Sequence, residues 1–194
     1  FDKSFRYSKL VQSIDEAEIS IKSNQTSVTI KRFLYPALGS SAAYTLPFSN
    51  QIYHPANNFW GAITSSEFSY RDSVNTLWTG CRLQDDNGVI QVYRSSGDER
   101  ILVDNNVGDV TYLTGKVALT SFKPVAIGSE TTGNTTSMEV FITPASADIL
   151  PLREQIILIE SGDVNVTMLD DAGTGTYVKG SISTTDGTTL TTGY

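Results

Sequence analysis

The stretch GDVTYLTGKVALTSF, residues 108–122, alternates apolar and polar side chains on both sides of Thr114-Gly115. Val110 and Tyr112 lead into the break and Val117 and Leu119 lead out of it, the period-two signature of paired strands with one buried face. With Thr114-Gly115 as a two-residue loop, Leu113 faces Lys116, Tyr112 faces Val117 and Val110 faces Leu119. Val110, Tyr112, Val117 and Leu119 then share the core face, while Thr111, Ala118 and Thr120 share the other. A three-residue loop with Gly115 in the left-handed region would instead turn Lys116 and Ala118 inward, so the pattern favours the shorter loop. Thr114 is poorly suited to the positive φ of a type I′ turn, which leaves the turn type open.

The same grammar recurs along the chain. Strand candidates are AITSSEFSYR (62–71), TLWTGCRLQ (76–84), GVIQVYR (88–94), RILVD (100–104), SMEVFITP (137–144), QIILIES (155–161) and VNVTMLD (164–170). Turn residues separate them: Asp86-Asn87-Gly88, Ser96-Gly97-Asp98 and Ser161-Gly162-Asp163. Near the N-terminus, Tyr7, Leu10, Val11 and Ile14 fall at i, i+3, i+4 and i+7, with Ala17 continuing the stripe, which predicts one amphipathic helix of about three turns. Alternation resumes from Val28 to Tyr35 and stops at Pro36. Residues 38–61 read as irregular, because Pro47 and Pro55 oppose central-strand pairing and Asn57-Asn58 suggests a turn. The expected fold is mainly β (α+β), an antiparallel sandwich-like or barrel-like domain with one N-terminal amphipathic helix. Its expected parts are a helix-plus-strand segment (1–36), the β domain (37–183) and a flexible Thr-rich tail (184–194), with a further exposed loop over 128–137. A first residue Phe1, with no leader behind it, suggests a piece of a longer protein.

Composition narrows the chemistry. A formal charge of −7 and a pI near 4.6, with Lys31-Arg32 the one adjacent basic pair, argue against nucleic acid as a partner. No run approaches the ~20 apolar residues of a membrane-spanning helix. The single Cys81 excludes an internal disulfide and reads as a small buried apolar residue; a thiol nucleophile would need the single histidine, His54, beside it. No His or Cys pair has metal-ligand spacing. The acidic clusters Asp85-Asp86, Asp98-Glu99 and Asp170-Asp171 read as solvated turn carboxylates, and LDDAGTGTY lacks the closing Glu of a helix-flanked calcium loop. GTGTYVKG reads as a flexible loop without a phosphate-binding context. No catalytic residue, metal or cofactor is expected.

Aromatic residues gather at Phe59, Trp60, Phe68, Tyr70 and Trp78. Such a set either fills a core or forms a contact surface. Alternation sends Phe68 and Tyr70 inward, whereas Phe59 and Trp60 sit beside a turn and are the candidate contact pair.

Three stretches, in order, resemble one family. FRYSKLVQSIDEAEISIKSNQTSVTIKR (5–32), GDVTYLTGKVALTSF (108–122) and ITPASADILPLREQIILIE (142–160) are similar to the C-terminal region of inner-ring baseplate wedge proteins of contractile-tailed phages, the baseplate-J-like group. The Thr-rich tail has no counterpart in that resemblance. The resemblance implies a virion structural protein of the tail baseplate, not an enzyme, assembled in the host bacterial cytoplasm. Its implied partners are itself, as a homodimer and in ring contacts, and other wedge proteins, through interfaces that rearrange when the tail contracts. The alternative is a carbohydrate- or receptor-binding β-sandwich module of a phage fibre.

Overall fold

The computed structural model describes residues 4–56, 60–97, 99–128, 136–151, 157–159, 161–169 and 177–178; the side chains of 60, 168, 169, 177 and 178 lie outside that description. The helix α1 (Tyr7–Asp15) forms where the apolar stripe predicts it. It stops before Ala17, whose side chain is exposed. Arg6 at the N-cap offers no side-chain cap; instead the Tyr7 N–H donates to Asp148 Oδ1 at 2.8 Å, so a carboxylate remote in the chain meets the helix's positive end.

Ten strands form one sheet: β1 (Ile30–Leu34), β2 (Ala42–Pro47), β3 (Trp60–Ser65), β4 (Phe68–Arg71), β5 (Leu77–Asp86), β6 (Val89–Ser96), β7 (Glu99–Thr111), β8 (Lys116–Phe122), β9 (Pro124–Ile127) and β10 (Met138–Ile142). The order is β1-β10-β3-β5-β6-β7-β8-β2, with β4 pairing both β5 and β9, and every pairing is antiparallel. The fold class expected from sequence is thus the one observed: mainly antiparallel β with, among the described residues, one short α-helix, the sheet curled until it is nearly closed. Strands distant in this order meet across the interior. The Phe68 ring on β4 packs edge-on against Phe122 on β8, centroids 5.2 Å apart, and the Tyr70 hydroxyl donates to Asp104 Oδ2 on β7 at 2.8 Å. Phe68, Phe122, Ile63, Leu83, Ile90 and Val92 are fully buried in this core.

The chain divides into two compact units, 1–155 and 156–194. In the second, β11 (Met168–Leu169) pairs with β12 (Tyr177–Val178), and Ser161–Asp163 forms one 3₁₀ turn. Residues 157–159, expected within a strand, have no regular structure, and among the described residues of the expected strand 164–170, which end at 169, only β11 is a strand. Tyr177–Val178, read from sequence as loop, is a strand. The expected tail at 184–194 and most of the expected loop at 128–137 lie outside the described residues.

Three readings of the sheet need correcting. The hairpin pairs Thr111 with Lys116 and Val110 with Val117, so its loop is Tyr112–Gly115, four residues rather than two. The shift is two residues, so the faces are as predicted: Val110, Val117 and Leu119 are buried while Thr111 and Thr120 are exposed. The loop widens because its backbone serves another segment. The Ile52 N–H donates to the Tyr112 carbonyl at 2.8 Å, and the Phe48 N–H donates to that of Gly115 at 2.8 Å. Residues 38–61, read as irregular, contain β2, an edge strand that ends on Pro47, where a missing donor does least harm. RILVD and the first hairpin arm are one strand, β7, carried across Asn105-Asn106 by register shifts against β6. By contrast, a turn forms at the expected Asp86-Asn87-Gly88, as a two-residue loop of Asn87-Gly88 with φ of +48° and +91°.

Candidate functional site

The 48–53 segment joins parts of the chain that are far apart in sequence. Ser49 adopts a left-handed φ of +55°, a sharp turn that swings Asn50 off the end of β2. The Asn50 amide then pairs with Leu150 as a strand would: Nδ2 donates to the Leu150 carbonyl at 3.0 Å and Oδ1 accepts the Leu150 N–H at 3.1 Å. Beyond it, Ile52 bridges Pro144, the Ala145 N–H donates to the Gln51 carbonyl at 2.7 Å, and the Tyr53 N–H donates to the Thr143 carbonyl at 2.9 Å. Phe5 and Ile149 exchange both backbone hydrogen bonds at 3.0 Å, one residue before Leu150. The result is one hydrogen-bonded junction of residues 5–7, 48–53, 112–115 and 143–150. It exposes large apolar side chains: Leu113 is 74% exposed, Leu150 64% and Tyr53 42%. Hydrophobic groups fixed on hydrogen-bonded backbone are suited to binding another protein.

Behind this junction lies a buried polar knot. Trp60 to Thr64 on β3 spans only Asp86 to Gln84 on β5, a bulge that leaves ladder donors unmatched. Asp85, fully buried, supplies the acceptors: Oδ1 takes the Gly61 N–H at 3.1 Å and the Ile63 N–H at 2.8 Å, and Oδ2 takes the Tyr112 hydroxyl at 2.9 Å. The Tyr112 oxygen accepts the Gly88 N–H at 3.0 Å, and its ring stacks on His54 with centroids 4.0 Å apart. Burial, helped by the Asp85 contact, pushes the Tyr112 hydroxyl well above its ordinary pKa, so it stays a donor throughout the working range. The carboxylate's bonds are all to main-chain and Tyr112 donors, which makes it a brace joining β3, β5 and the hairpin loop rather than a reacting group.

Of the contact pair read from sequence, Phe59 lies outside the described residues, and Trp60 opens β3 with its side chain likewise outside. Phe68 and Tyr70 are buried, as their alternation predicts. Trp78 packs partly buried against the core, and its indole N–H donates to Asp72 Oδ2 at 2.9 Å. Cys81 is fully buried, and burial pushes its thiol pKa up to about 11. Asp85, read as a turn carboxylate, is a core residue instead, whereas its neighbour Asp86 is partly exposed. Asp98, Asp170 and Asp171 lie outside the described residues. Sequence reasoning missed Asn50, Leu113 and Leu150; the one available signal was Leu113, an apolar residue off the apolar face of the hairpin.

Among the described residues no group of His, Cys, Asp and Glu is placed to hold a metal ion, and no helix is long and apolar enough to cross a membrane. No protein-family model matches the chain, and no curated protein matches it.

Proposed function

We propose that this protein is a structural component of a phage tail baseplate wedge, of the inner-ring type. It acts by self-association and by binding neighbouring wedge subunits during baseplate assembly and tail contraction. In this reading it belongs to the virion, is assembled in the host bacterial cytoplasm, and performs no catalysis. The observation that carries the reading is spatial. The three stretches that resemble the wedge family begin at 5, 108 and 142, yet Phe5, the 112–115 loop and Ile149-Leu150 are stitched together around Asn50. A chance likeness of three unrelated segments gives no reason for them to meet at one hydrogen-bonded junction. The junction also has the chemistry the role needs, with Leu113, Leu150 and Tyr53 outward on braced backbone.

Sedimentation velocity tests self-association, from about 1 to 100 µM, a range that brackets micromolar affinity. The weight-average coefficient is expected to rise with concentration, and Leu113→Asp with Leu150→Asp to suppress the rise. A monomer throughout, indistinguishable from the double variant, would count against it.

A further inference from the structure

The turn between β5 and β6 carries a reaction that the fold holds in check. Of the asparagines in the chain, Asn87 alone precedes a glycine. An Asn-Gly pair can modify itself, because no side chain on the glycine keeps its nitrogen away from the asparagine Cγ. The Gly88 nitrogen gives its proton to solvent hydroxide and bonds to Asn87 Cγ, closing a five-membered succinimide. The Cγ–Nδ2 bond breaks, and the departing nitrogen takes a proton from water and leaves as ammonia. A second water then opens the ring at one of its two carbonyls, giving aspartate or isoaspartate at 87. Asn87 is exposed, so water and hydroxide reach it.

The nitrogen that must attack is held. Its N–H donates to the Tyr112 hydroxyl oxygen at 3.0 Å, and the Tyr112 hydroxyl donates in turn to Asp85 Oδ2 at 2.9 Å. A hydroxyl that gives its proton to a carboxylate is a stronger acceptor for the next donor in the chain. The Gly88 carbonyl is tied as well, to the Val110 N–H at 2.9 Å. A two-residue hairpin loop is closed by its flanking residues, so the bond to Tyr112 is not one the turn itself requires. Asp85, one hydroxyl away, also sets negative charge near the nitrogen, which disfavours removal of its proton. We propose that Asn87-Gly88 is a latent self-modification site, which converts to isoaspartate when its turn opens, and that Tyr112 is the latch that keeps it unreacted. Isoaspartate carries the main chain through Cγ, one carbon longer. The loop then no longer matches β5 to β6, and Gly88 is drawn off Tyr112, so the change is a one-way loosening of the Asp85 brace. The inference rests on the turn and its hydrogen bonds, not on the assembly reading.

The test incubates the full chain in mild alkali, folded and in guanidinium chloride, and follows the peptide that holds residue 87 by mass spectrometry, with electron-transfer fragmentation to count isoaspartate. The folded protein is expected to react at least about tenfold more slowly than the unfolded chain, because the turn must first open. Tyr112→Phe keeps the ring and removes the acceptor, and is expected to speed the folded reaction about fivefold, the worth of one hydrogen bond. Phe68→Leu, a core change outside the turn, is expected to leave the folded rate within about twofold of wild type, which separates the latch from global stability. The Gly88 amide hydrogen is expected to exchange slowly in the wild-type protein, a readout that needs no variant. Equal folded and unfolded rates would overturn the proposal, as would a Tyr112→Phe rate no higher than wild type or matched by Phe68→Leu. Exchange of the Gly88 amide as fast as that of an open peptide would do the same.

Discussion

At the scale of single residues, Asp85 shows why a buried charge can be structural. Its oxygens accept from Gly61, Ile63 and Tyr112, and Asp85→Ala would leave those donors facing a dry interior. The expected loss is about 3–5 kcal/mol, measured as a lower urea midpoint with unchanged slope. Cys81 makes a second residue-level case. Buried, with its thiol held up to about 11, it is expected to react with a disulfide reagent at pH 8 only as fast as the protein unfolds. Fast stoichiometric labelling of the native protein would contradict its placement. Asp72 supplies the pH dependence. The Trp78 indole N–H, then the N–H groups of Thr76 and Val74, hold its carboxyl below the ordinary value of 3.8. A depressed native pKa means the loop's stabilisation is complete above 3.8 and is lost as pH falls through the lower native value. Trp78 fluorescence is expected to change in that acid window in the wild type and not in Asp72→Asn.

At the scale of elements, the hairpin separates what alternation can specify from what it cannot. Alternation put Val110, Val117 and Leu119 on the buried face, and they are there. It could not give the loop length, because a two-residue shift conserves every face and so leaves the pattern unchanged. The length follows from Phe48 and Ile52, which donate to the loop's carbonyls. Gly115 is held by the same contact: its φ is +63°, and a Cβ there would lie 2.1 Å from the Asn50 carbonyl oxygen. Gly115→Ala is therefore expected to destabilise by about 2 kcal/mol or more, through strain and displacement of Asn50 together. A neutral result in thermal unfolding would mean that the 48–53 segment yields easily, contrary to its bonding. The helix gives a parallel lesson. Its apolar stripe was plain in Tyr7, Leu10, Val11 and Ile14, but the carboxylate at its N-terminus is Asp148, which no local capping motif can reveal.

At the scale of the whole molecule, the core cluster draws on residues from Leu34 to Ile142, all within the unit that ends at 155. A chain ended after Gln155 is expected to keep cooperative urea unfolding with a midpoint close to that of the full chain; loss of cooperativity would show that the second unit is needed for folding. Local order was enough to identify most strands of the large sheet, though not β2 or β9, together with the turn at Asn87-Gly88, the helix and the inward Phe68 and Tyr70, because each rests on a period or turn chemistry written in neighbouring residues. The curl of the sheet, the burial of Asp85 and the junction around Asn50 had no such local signature. Asp85 lies in a turn-like acidic stretch, and only the bulge in β3 supplies the unmatched donors that let it brace the core. The sequence by itself determined which faces are apolar and hence the class of fold. The tertiary structure alone decided which distant segments supply each unmatched donor and acceptor, because buried backbone groups must be satisfied by whatever the completed fold brings near them.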